Sequence, residues 1–252
     1  MVFDEAARGT VPSRSARQQQ PSAAIPFVPA AGTWTLAWVT GSVFVAALLI
    51  AAMGADSGSD LTIPQLFVVA VGSWIVLLVA LVIASRRFGT GDFVADYATR
   101  FRPIDLVGVP VGVLTQLALI PVLYMPLRGL WPDTFSSEKL EERAQDLADR
   151  ATGASTVLLV LVVVVGAPIV EELVYRGLLQ RSMATVAGAV PALVLTSIWF
   201  SLIHFSPVEY PGLFLAGLVF GAGVVLTGRI GPAIVTHAAF NATGIVMVLS
   251  AR

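Results

Sequence analysis

The sequence predicts an all-α fold, a polytopic membrane helix bundle of about seven transmembrane helices. Of the 252 residues, 56% are hydrophobic and only 12% charged, about half the charge of a soluble domain of this length. Mean hydropathy is +0.84. The apolar residues also gather into seven stretches close to the roughly 20 residues that cross hydrocarbon as a helix. These run over 34–54, 63–84, 104–124, 155–180, 187–205, 211–227 and 230–250.

Taken in order, residues 1–32 are rich in Arg, Gln, Pro, Ser and Ala and bury too little surface to offset their ordering entropy, so a disordered cytoplasmic tail is expected there, with the membrane bundle over 33–252. The first apolar stretch, Trp34 to Met53, starts too late and runs too long for a signal peptide. The fourth stretch is long enough to protrude, and the sixth is short. Between the second and third, Phe93, Tyr97 and Phe101 recur at helical spacing beside Arg100 and Arg102, which suits a helix in the headgroup zone. After the third, Leu140, Ala144, Leu147 and Ala148 give a weaker stripe. The pairs Gly108/Gly112 and Gly217/Gly221 are small residues one turn apart that let membrane helices approach closely.

Arginine placement supports the count. With the amino end in the cytoplasm, the inner segments hold Arg8, Arg14, Arg17, Arg86, Arg87, Arg100, Arg102, Arg176, Arg181 and Arg229, ten of the 15 basic residues. The expected topology is amino terminus cytoplasmic and carboxyl terminus outside, multi-pass in the cell membrane. The net charge of -1 offers no basic surface for nucleic acid. The absence of cysteine excludes disulfides, thiol nucleophiles and thiolate metal sites, leaving carboxylates, hydroxyls and two histidines for any chemistry.

A charge at the bilayer centre costs about 2.5–3.5 kcal/mol on insertion scales, so ionisable groups inside spans point to function. Apart from edge residues such as Asp105 and Arg229, they are Glu171, Glu172, Arg176, His204 and His237. Glu172 and Arg176 are spaced i, i+4 in the order that favours an ion pair, while Glu171 is rotated about 100° away and stays free. Phe200 and His204 share a helix face, as do His237 and Asn241. An imidazole and a carboxamide pointing together can donate to a developing oxyanion or bind a metal. Depth fits less well. Counting rise per residue puts Glu171 and His204 each about 20 Å from the turn between their helices, but His237 only about 13 Å from the same end.

These residues read Glu-Glu-x-x-x-Arg, Phe-x-x-x-His and His-x-x-x-Asn in order on separate spans. The chain thereby resembles the CAAX prenyl protease and bacteriocin-processing family of intramembrane endopeptidases, also called CPBP or Abi, over about 155–250. The resemblance implies a helical bundle with a cavity reaching the cytoplasmic side and hydrolysis of peptide bonds in a membrane-associated protein or peptide. It implies that Glu171 and His204 activate a water and that His237 and Asn241 stabilise the oxyanion, with Glu172 and Arg176 orienting Glu171. Zinc held by Glu171, His204 and His237 and a metal-free glutamate hydrolase both stay open, and a prenylated substrate does not follow. Partners so implied are the substrate and the lipid bilayer.

The rival from another class is a non-catalytic scaffold or bacteriocin-immunity protein that binds a partner through the same polar pocket. A transporter would show an internal repeat, and none is detectable. Ser201, three residues before His204, lacks the nucleophile loop of a serine protease. Asp92, in Gly89-Thr90-Gly91-Asp92, lacks a second membrane aspartate to share a proton with.

Overall fold

The computed structural model describes residues 25–250. Most of the expected tail, residues 1–24, lies outside the described residues. Among the described residues all regular structure is helical. Six of the described helices are long and apolar enough to cross a membrane: α1 (Phe27–Ala52), α2 (Ile63–Phe88), α4 (Pro103–Leu130), α6 (Ala154–Ala187), α8 (Tyr210–Thr227) and α9 (Gly231–Ser250). A shorter apolar helix, α7 (Ala189–Leu202), lies between α6 and α8. The short α3 (Phe93–Tyr97) and the amphipathic α5 (Ser137–Arg150) lie in connections. The molecule is a multi-pass membrane helix bundle.

Helix α1 starts at Phe27, inside the segment assigned to the tail. Pro26 sits at its N-cap, where a missing N–H costs nothing, and Ile25, Ala30 and Trp34 are buried in the core cluster shared with α6, α7 and α8. Apolar contact extends the helix beyond what the polar composition of the tail suggested.

The expected headgroup helix is shorter than its stripe. Ala98 takes the left-handed conformation at φ 53° and ends α3 before Phe101. Tyr97 is buried, not interfacial, and its hydroxyl donates to the Leu81 carbonyl at 2.6 Å. Asp96 is buried too, accepting from the Ser85 hydroxyl at 2.5 Å and the Thr90 amide at 2.9 Å. Asp92 caps α3 by accepting from the Val94 and Ala95 amides, a structural job.

Helix α9 packs along α4 and α8 and touches α6. Gly112 permits the α4 contact, because a Cβ there would overlap the Thr236 carbonyl. Arg229 pairs with the buried Asp105, fastening the turn before α9 to the start of α4.

The fifth stretch, expected over 187–205, gives a helix of only 14 residues. Phe205 sits at φ 51°, and Ser206 precedes Pro207, which disfavours helical backbone before it. Ser201 donates its hydroxyl to the Tyr210 carbonyl at 2.8 Å, drawing the chain back into α8.

Candidate active site

Helix α6 is wound unevenly where the motif sits. Residues Leu161–Gly166 and Leu173–Gln180 are π-helical, and the α-helical segment Ala167–Glu172 between them carries both glutamates. Single π segments inside α-helices recur at functional sites. The first has a sequence cause. The Ala167 amide bonds the Val162 carbonyl, and Pro168 has no N–H to offer, so the Val163 carbonyl loses its regular donors. The Asn241 amide from α9 donates to it at 2.8 Å.

The second π segment bears on the depth mismatch. Winding with i→i+5 bonds places more residues in each turn, so Glu172 lies nearer the end of α6 than an α-helical count gives. His237 and Glu172 meet directly: Nδ1 of His237 lies 2.9 Å from Glu172 Oε1. Arg176 Nε donates to the other oxygen, Oε2, at 3.1 Å, with both charged side chains fully buried. The expected ion pair forms, and Glu172 is shared between an arginine and a histidine.

That sharing sets the ring of His237. With Glu172 accepting at Nδ1, the proton sits on that nitrogen, and a neutral ring presents Nε2 as an acceptor. Nε2 lies 3.9 Å from Glu171 Oε2. Glu171 is the more accessible of the two acids, with 28% of its side chain exposed against 0% for Glu172.

His204 lies just past α7, not on it. Its backbone amide bonds Ser201, which frees the Phe200 carbonyl, and its own Nδ1 satisfies that carbonyl at 2.6 Å. It makes no ion pair with a described acid. The Phe200 ring stands between the two imidazoles, with its centroid 4.8 Å from His204 and 5.9 Å from His237. Arg176 lies over the same ring at 5.6 Å.

The structure thus brings Glu171, Glu172, Arg176 and His237 into one cluster, joins His204 to it through Phe200, and ties Asn241 to the backbone of α6. Residues 153–243 match the family model described as type II CAAX prenyl endopeptidase Rce1-like. The motif region is Rce1-like. It is similar, as the three motifs are, to a family of CAAX-type intramembrane proteases. No curated protein and no solved structure gives a match.

The Rce1-like region holds every expected site residue, and the whole of α1 to α5 precedes it. For a catalytic zinc, three protein ligands must face one point. Among the described residues no three His, Asp or Glu side chains are so grouped. Glu171, His204 and His237 therefore do not form a ligand set as they stand.

Two neighbours of the site escaped the sequence reading. Phe220 of α8 stacks on His237, with centroids 4.5 Å apart and planes within 17°. Gln180 continues the Glu172, Arg176 spacing by one more turn and accepts from Arg176 Nη1 at 3.2 Å. Gln180 had a legible signal, a polar residue at i, i+4, i+8 in an apolar span. Phe220 had none, since an aromatic residue in a membrane helix is ordinary.

Proposed function

We infer that the chain is an intramembrane endopeptidase that hydrolyses peptide bonds of a membrane-associated protein or peptide. The observation that carries this reading is the placement of His237 by Glu172, with Nε2 of the ring 3.9 Å from the freer carboxylate of Glu171. Two polar atoms at that separation are both within hydrogen-bond reach of one water.

In the reaction, Glu171 takes a proton from that water as its oxygen attacks the scissile carbonyl, then passes the proton to the leaving amine. His237, with its proton on Nδ1 held by Glu172, accepts from the attacking water through Nε2, and the second N–H of Asn241 donates to the oxyanion. His204, with Nδ1 committed to the Phe200 carbonyl, has Nε2 left as a second acceptor for the attacking water. Burial of the site strengthens each of these interactions.

Glu171→Ala and His204→Ala are each expected to abolish cleavage of a membrane peptide while leaving the protein folded and inserted. If both variants kept the full biological effect of the wild type, the pocket would serve binding and not hydrolysis.

A further inference from the structure

His204 is held differently from the other ionisable groups of the site. Among the described residues its side chain has one polar contact, Nδ1 to the Phe200 carbonyl at 2.6 Å, and that contact lies within its own helix end. Its place beside Glu171 and His237 therefore depends on the backbone of the turn 203–209, which joins α7 to α8.

That turn is fastened from outside by Tyr124 of α4. The Tyr124 hydroxyl donates to the Val208 carbonyl at 2.8 Å and accepts from the Gly212 amide at 3.0 Å, across 84 and 88 residues of sequence. The Gly212 amide belongs to the first turn of α8, where amides have no partner within the helix. Glu209, the N-cap residue, makes no side-chain cap. A hydroxyl from another helix thus supplies the missing cap, and because it can donate and accept at once it serves both backbone groups. Gly212 leaves space for it, since a Cβ there would lie 3.0 Å from Tyr124 Cε2 and 3.1 Å from the hydroxyl oxygen. The phenol itself is buried, with the Phe135 ring 5.8 Å away. By contrast, Arg143 meets Glu209 at 3.8 Å with 61% of its side chain exposed, a pair that holds little.

We propose that Tyr124 is a positioning residue for His204: by fixing Val208 and the first turn of α8 it keeps α7 ended at Leu202 and the Phe200 carbonyl open to the His204 ring. Without that hold α7 can continue. The His204 amide would then take the Phe200 carbonyl in an ordinary α-helical bond, and the ring would lose the contact that keeps its proton on Nδ1. Tyr124 precedes the matched residues 153–243, so the amino-terminal half of the chain contributes to the site a part that the family match does not contain.

The claim rests on the endopeptidase reading only for its effect on turnover, so its test begins with a readout that needs none. The chain has two histidines, and nitrogen-15 imidazole labelling of the full chain in lipid nanodiscs gives two ring systems, assigned with His204→Gln. The expected wild-type signal for His204 is a ring protonated at Nδ1. Tyr124→Phe removes the hydroxyl and keeps the ring, and it is expected to move the His204 signal toward tautomer averaging while leaving that of His237 in place. In a cleavage assay it is expected to lower kcat about 100-fold with KM unchanged, the effect of misplacing a reacting group by about 1 Å. Gly212→Ala crowds the same hydroxyl and is expected to act in the same direction, which keeps the test open should Tyr124→Phe not fold. An unchanged His204 signal in a folded variant of either kind overturns the proposal, as does an unchanged kcat in a protein that cleaves. An equal shift of both histidines overturns it too, because that marks a general loosening of the bundle. If His204 responds as expected but the wild type cleaves no membrane peptide, the endopeptidase reading alone is overturned.

Discussion

His237 Nδ1 and Glu172 Oε1 lie 2.9 Å apart across a sequence separation of 65 residues, and this contact joins α9 to the motif of α6. It divides the work of the paired glutamates. Glu172 is the buried counterion of Arg176 and the acceptor for His237, while Glu171 is left facing Nε2.

Glu172 and Glu171 should therefore fail differently when changed. Glu172→Ala leaves the Arg176 charge buried without a partner, and thermal unfolding in detergent should register a loss of about 3–5 kcal/mol. Glu171→Gln should unfold like the wild type and yet lose cleavage. Equal stability losses in both variants would contradict the division.

Asn241 holds up the first π segment of α6 through the Val163 carbonyl. Asn241→Leu strands that carbonyl, at a cost of about 1–3 kcal/mol, and should lower stability as well as activity. A pure loss of turnover with unaltered unfolding would show that the backbone contact is dispensable.

Zinc requires donors that converge, and those here do not. Cleavage by the purified protein is expected to survive chelation. Loss of activity that zinc addition restores would show that His204 moves onto the Glu171 and His237 cluster when metal is present.

The connection after α2 supplies a pH dependence. Burial pushes the Asp96 carboxyl up, but hydrogen bonds from Ser85, Thr90 and Gly91 outweigh it and hold the group below its usual value of 3.8. A depressed folded value means that the contribution to stability is complete above that usual value and is lost as pH falls through the lower folded one. Unfolding followed below about pH 4 should thus show a destabilisation that Asp96→Asn removes.

Helix α1 lies outside the family match but packs onto it. Trp34 meets Trp199 edge-on at 4.6 Å, and Trp38 lies 6.1 Å from Phe205, the residue after His204. Each such aromatic pair contributes about 0.5–1.5 kcal/mol beyond area burial. Trp34→Ala is expected to lower the unfolding temperature and to weaken cleavage by loosening the wall beside His204. Unchanged behaviour in both assays would make α1 a passive neighbour.

Much of this was legible along the chain. The spans followed from hydropathy, and the Glu172 and Arg176 pair from its spacing, because both are properties of one continuous segment. The limits of such reading are equally physical. Hydropathy carried the fifth span to 205, yet Phe205 and Pro207 end α7 early, so His204 lies in a turn and its ring answers a freed carbonyl. The Phe93, Tyr97, Phe101 stripe looked interfacial, but Tyr97 found a carbonyl on α2 and turned into the core.

The sequence by itself determined that this chain crosses a membrane and which few charged groups it carries there, because each intramembrane charge is costly enough to be conspicuous. Only the tertiary structure decided how those groups divide their tasks. Helical spacing already paired Glu172 with Arg176 and turned Glu171 aside, but only the fold brought His237, 65 residues further on, to the other oxygen of Glu172 and aimed its Nε2 at Glu171.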